Sequence, residues 1–273
     1  MRYVVKCMTL LGLLLSILVS TTTAGSNPKL KLEIELSKEV FLEREPIWLD
    51  ITLINVSSDT MRAGGLFPPC QSPGPFSVEL KDGRGEHMKY TGLLYNMGPA
   101  KGPGLLLHPK EQLYGCYDLL ELFSTYRSLL RQRFGLLAPG KYSVRGRYGN
   151  TFSQEVDFEV VEVTENEMEA YKLLNTAYAL WLKDPFDSTN QEFRQIVNQF
   201  PNSVYAEKAM REIAPKSELL RQFPNSGYNE QGLRTLTGKL SKGEKTELLQ
   251  QIISDHPGTR SARFAQQMLK WGE

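Results

Sequence analysis

Phe200-Pro201-Asn202-Ser203 returns as Phe223-Pro224-Asn225-Ser226 and, more loosely, as His256-Pro257-Gly258-Thr259. Each copy ends one apolar-periodic stretch and precedes another. Proline stops a helix because it lacks the amide donor and clashes with the preceding turn. The Asn-Ser or Gly-Thr that follows supplies oxygens suited to an N-cap. The phrase therefore punctuates helices, and its recurrence predicts an array of helical hairpins.

Working outward, Thr164-Glu165-Asn166-Glu167 reads as a capping box. It opens a predicted helix with Tyr171, Leu174, Tyr178, Trp181 and Leu182 on one face. Phe193, Ile196, Val197 and Phe200 follow at helical spacing, then Ala206, Ala209 and Met210 after the first copy of the phrase. Ser241-Lys242-Gly243-Glu244 is a second capping box, and Thr259 is placed to cap the last helix. Residues 164–273 are thus expected to be an all-α module of helical hairpins.

Upstream the period changes from 3.6 to 2. Leu30, Leu32, Ile34 and Leu36 share one face, and Lys31, Glu33 and Glu35 the other. Ile47, Leu49, Ile51 and Leu53 repeat the pattern, with Asp50 and Thr52 turned outward. Phe76-Val78-Leu80, Tyr142-Val144-Gly146-Tyr148 and Val156-Phe158-Val160 continue it. Turns this frequent predict an antiparallel β-sandwich over 29–163. A short helical insertion is expected within 118–137. Tyr142, just past Gly140, is placed for a corner whose hydroxyl bonds back to the chain. Two loops rich in Gly and Pro, 63–75 and 92–104, interrupt the strands. In the second, Tyr95 and Met97 are candidate partner contacts, the alternative being a loop packed over the sheet edge.

Glu45-Pro46-Ile47, Leu53-Ile54-Asn55, Tyr117-Asp118-Leu119 and Pro139-Gly140-Lys141-Tyr142-Ser143-Val144 resemble signposts of bacterial immunoglobulin-like domains. The resemblance implies an immunoglobulin-like sandwich. Such domains are attached to secreted peptidases and occur as small proteinase inhibitors. The Cys-Trp-Cys core of antibody domains is not reproduced. Phe-Pro-Asn-Ser-x-Tyr-Ala at 200–206 resembles the inter-helix phrase of tetratricopeptide-like repeats in bacterial envelope proteins. Prolines 201, 224 and 257 lie 23 and 33 residues apart, where a regular array keeps about 34. The repeats are therefore degenerate, and an irregular helical bundle is the alternative. Together these resemblances imply an α+β two-domain chain.

Arg2 and Lys6 precede an apolar run from Met8 to Val19, and Ser20 to Ala24 are small. This reads as a signal peptide, residues 1–24, cleaved after Ala24, with an uncleaved anchor as the alternative. It implies a secreted protein with no membrane span after cleavage, and with the resemblance of the repeats to bacterial envelope proteins, a periplasmic or extracellular bacterial one. Loss of two cations from 32, against 31 acidic residues, brings the net charge near −1. No basic patch stands out, which argues against a nucleic-acid partner. Cys70 and Cys116 are expected to form a disulfide in an oxidising compartment, two separate thiols being the alternative.

Catalytic patterns fail on context. Gly135 to Lys141 has the spacing of a phosphate loop, but Tyr142 follows and a strand is predicted where a helix is needed. His87, His108 and His256 have no ligand at metal spacing, and neither a metal nor a cofactor is expected. Asn55-Val56-Ser57 matches a glycosylation acceptor by pattern alone. The sequence reading is a non-catalytic secreted or envelope protein that binds a protein partner. A protease inhibitor or protease-accessory domain acting through the sandwich is the alternative.

Overall fold

The structure is a computed structural model, described over residues 29–64, 76–91, 105–123, 136–183 and 191–271. The expected signal segment 1–24, Cys70, Tyr95, Met97 and most of the expected insertion after Leu122 lie outside the described residues. Among the described residues the strands come first, in the order β1 (Leu30–Leu36), β2 (Val40–Leu42), β3 (Trp48–Asn55), β4 (Met61–Ala63), β5 (Phe76–Asp82), β6 (Leu105–Leu107), β7 (Gln112–Asp118), β8 (Gly140–Tyr148), β9 (Thr151–Phe152) and β10 (Val156–Val161). The four-residue helix α1 (Leu119–Leu122) lies between β7 and β8. A 3-10 turn at Glu165–Glu167 leads into α2 (Met168–Lys183), α3 (Gln191–Gln199), α4 (Ala206–Ile213), α5 (Lys216–Gln222), α6 (Asn229–Thr237), α7 (Lys242–Asp255) and α8 (Arg260–Trp271).

The expected all-antiparallel immunoglobulin-like sandwich is not what these strands build. They form three sheets: a three-stranded one ordered β1-β3-β7, a larger one ordered β2-β10-β8-β5 with β9 on β8, and the pair β4-β6. Strand β2 runs parallel to β10, with Val40 opposite Glu159. The chain is mixed α/β. Strand period could not reveal this, because β2 has only three residues and its partner lies far along the chain.

The three-stranded sheet is covered on both sides. Leu32, Leu49, Ile51 and Leu53 turn toward Phe76, Leu80, Val144 and Phe158 of the larger sheet. The two sheets meet closely at Gly146, where a Cβ would stand 3.0 Å from Ile34 Cγ2. The opposite face carries Trp48, Tyr114 and Cys116, which share a core with Met210, Leu219, Tyr228, Leu233, Leu249, Phe264 and Met268 of the helices. Each such fully buried side chain contributes roughly 1.5–3 kcal/mol. A third cluster, around Leu174, Tyr178, Phe193, Ile196 and Tyr205, joins α2, α3 and α4.

The local motifs form in part. The hydroxyl of Tyr142 donates to the Ala138 carbonyl at 2.7 Å, forming the expected corner. Ser241 and Glu244 make their reciprocal capping box at α7. Thr164 makes no side-chain cap; Glu167 instead accepts from Ser203 Oγ at 2.5 Å. Asn55 is fully buried and donates to the Asp59 and Leu107 carbonyls, so its glycosylation pattern is a turn motif. After Ala138-Pro139-Gly140-Lys141 the chain continues as strand β8, so no helix N-terminus follows the phosphate-loop spacing.

Candidate functional site

The three copies of the repeated phrase fold alike. Ser203 N–H donates to the Phe200 carbonyl, Ser226 N–H to that of Phe223, and Thr259 N–H to that of His256. In the first two, the serine oxygen then accepts from the amide two residues on, Tyr205 at 3.1 Å and Tyr228 at 3.2 Å. This fixes the direction in which the next side chain leaves the turn. Just after each copy, one side chain reaches the β half of the chain. Tyr205 donates to the Glu43 carbonyl at 2.9 Å. Tyr228 donates to Asp118 Oδ2 at 2.8 Å. Arg260, after the third copy, grips Asp50 with Nε at 2.8 Å and Nη2 at 2.6 Å.

Around Tyr228 these contacts gather the titratable groups. Asp118 ends β7, is 2% exposed, and accepts from the backbone amides of Ile47 and Leu120 as well as from Tyr228. Burial raises its pKa above the usual carboxylate range, and Lys208 opposes the rise. Lys208 on α4 is 1% exposed, and its Nζ makes no hydrogen bond among the described residues. Burial pushes the pKa of the amine down, with Asp118 and Glu121 pulling the other way. Arg211 lies 3.9 Å from the centre of the Tyr228 ring and pairs with Glu121.

Next to it, Trp48 meets the Tyr228 ring edge-on at 4.6 Å. Trp48 Nε1 and Glu207 Oε1 are both buried and, among the described residues, close no hydrogen bond of good geometry. Burial pushes the Glu207 carboxyl up to about 7, against the pull of Ser226, Trp48 and Arg260. Gly227 approaches so closely that a Cβ there would stand 2.4 Å from the indole and 2.9 Å from Cys116 Sγ. Cys116 is buried, and burial keeps its thiol protonated.

The alternation of β3 predicts a solvent-facing Asp50. It instead lies under α8, accepting from Tyr114 as well as Arg260. These groups lock sheet to helices, and no sequence pattern pairs them. The expected Cys70–Cys116 bridge cannot be placed, since Cys70 lies outside the described residues, as do Tyr95 and Met97. Among the described residues no group of His, Cys, Asp and Glu could hold a metal ion. No described helix is long and apolar enough to cross a membrane.

One open groove, of about 380 Å³, lies elsewhere. It follows β1 and is lined by Lys31, Glu33, Glu35, Thr52, Gln154 and Arg263, among others. Strand β1 pairs only with β3, so among the described residues its far edge carries no strand.

No protein-family model and no curated protein matches the chain. Among solved structures, the alkylpurine DNA glycosylase AlkC of Pseudomonas fluorescens is similar at 13% identity and TM-score 0.28, over 48% of this chain and 30% of that one. A β-glucosidase of Erythrobacter marinus is similar at 12% identity and TM-score 0.29, over 48% and 15%. One from Listeria innocua, solved with glucose, stands at 16% and 0.28, over 50% and 17%. The chain spans under a third of the length of each. Likenesses this low carry no argument about fold or function.

Proposed function

We propose that this is a non-catalytic protein-binding protein of the bacterial envelope or exterior, with the free edge of β1 receiving an extended segment of a protein partner. The observation that carries the reading is a separation. Four titratable groups that burial shifts, Asp118, Lys208, Tyr228 and the carboxyl of Glu207, sit inside the joint between sheet and helices. The open groove instead follows β1 and its exposed Lys31, Glu33 and Glu35, with Gln154 and Val156 across from them, and meets the joint only at Asp50 and Arg263. An unpaired edge offers a row of N–H and C=O groups that a second strand can satisfy. Cleavage after Ala24 would leave only residues 25–29 ahead of β1, keeping that edge near the new terminus. A photo-crosslinking residue at Glu35 should capture a partner protein in the native host, and one at Glu247 on α7 should not. Equal capture at both positions overturns the reading. So does substrate turnover, in a panel of glycosides, esters, peptides and phosphoesters, that disappears in Lys208→Met.

A further inference from the structure

We infer that the strand that fits the edge of β1 is the β1 strand of a second copy of this chain, running antiparallel and centred on Leu32. The inference rests on the reading of this edge as a strand-binding site. Along the outer face the order is Lys29, Lys31, Glu33, Glu35, two cations followed by two anions, all exposed. The inner face carries Leu30, Leu32 and Ile34. Turned end for end about Leu32, Lys29 stands opposite Glu35 of the second copy, and Lys31 opposite its Glu33. Leu30 stands opposite Ile34, and Leu32 meets its own equivalent. Both kinds of charged pair occur twice across the two-fold axis, and no like charges face each other. Directly opposed residues in an antiparallel pair have Cβ atoms about 4.5–5.5 Å apart, so these charges would interact.

Other registers are worse. Centring on Glu33 or on Lys31 sets that charge against itself. Shifting by one residue puts leucines on the charged face. The charges are available for this exchange. Lys31 meets Glu33 of its own strand at 2.5 Å, and Lys29 meets Asp59 at 3.9 Å, both at exposed positions where such pairs are worth little. Leu30 and Ile34 are only partly buried against the core, and a paired strand would cover their open sides. The contact is isologous, as two-fold dimers require. A seven-residue strand falls short of the roughly 1,200 Å² of a stable interface, so the dimer should be weak and dependent on concentration.

Sedimentation equilibrium of the purified chain, up to about 200 µM, tests this at the concentrations where a small interface associates. The expected result is a monomer–dimer equilibrium. Lys31→Glu and Glu33→Lys should each weaken it, by about tenfold or more, because two attractive pairs become repulsive. Mixing the two variants should restore association. In the mixed dimer the two substituted side chains face each other with opposite charges. The unchanged Glu33 of one copy likewise faces the unchanged Lys31 of the other. Circular dichroism melts should match the wild type, since both positions are exposed. A wild-type chain that stays monomeric overturns the inference, as does a mixture no tighter than either variant alone. If the chain is monomeric but a crosslinker at Glu35 still captures a different protein, this inference fails and the proposed function stands. If neither occurs, both fail.

Discussion

Single side chains carry the joint between strands and helices, and their contributions can be ranked by acceptor. Tyr228 donates to a buried carboxylate group, whereas Tyr205 donates to a neutral carbonyl. Hydrogen bonds to charged groups are worth about 1.5–3 kcal/mol, and neutral ones about 1. Tyr228→Phe should therefore cost about 2 kcal/mol and Tyr205→Phe about 1, measured by urea unfolding. Glu207 adds a dependence on pH. Its folded value of about 7 lies above the ordinary 4.5, so the folded state holds the proton more tightly. Its contribution is complete below pH 4.5 and is lost as pH rises through 7. The loss is about 3 kcal/mol. Glu207→Gln cannot ionise. The stability of the variant relative to wild type should rise between pH 4.5 and 7, and a constant difference would remove Glu207 from the account.

Whole elements are the most legible part of the sequence. The alternation of Leu30 to Leu36 and of Ile47 to Leu53 gives β1 and β3, and the repeated phrase falls between helices as its proline requires. What the local pattern could not give is how those elements meet. Beside its apolar core, the joint is pinned by polar contacts between residues as much as 110, 162 and 210 positions apart. No periodicity reports on such pairs, so Asp50 reads as a solvent-facing strand position. The apolar residues on the same face, Trp48 and Tyr114, are the available hint that something covers that side. Gly227 is where the fit between elements is tightest. Its added methyl would overlap the Trp48 ring, so Gly227→Ala should cost about 1–3 kcal/mol. Gly243, in the first turn of α7, has open space around it. Gly243→Ala should be neutral or slightly stabilising, and melts of the two variants side by side check the contrast.

On the scale of the molecule, the three-stranded sheet is a shared wall. The sequence divides the chain at Thr164, where β10 has ended and the first helical turn begins. Residues 164–273 made alone would expose Leu233, Phe264 and Met268, which in the whole chain pack against Trp48, Tyr114 and Cys116. That fragment should bind hydrophobic dyes and melt below the intact protein. Strands and helices should therefore unfold together. The most direct test leaves Trp48 as the sole tryptophan, through Trp181→Phe and Trp271→Phe, and follows urea unfolding by its fluorescence and by helical circular dichroism. One transition with coincident midpoints is expected, with Tyr228→Phe moving both signals together. Loss of the helical signal at a different urea concentration from the change at Trp48 would contradict it.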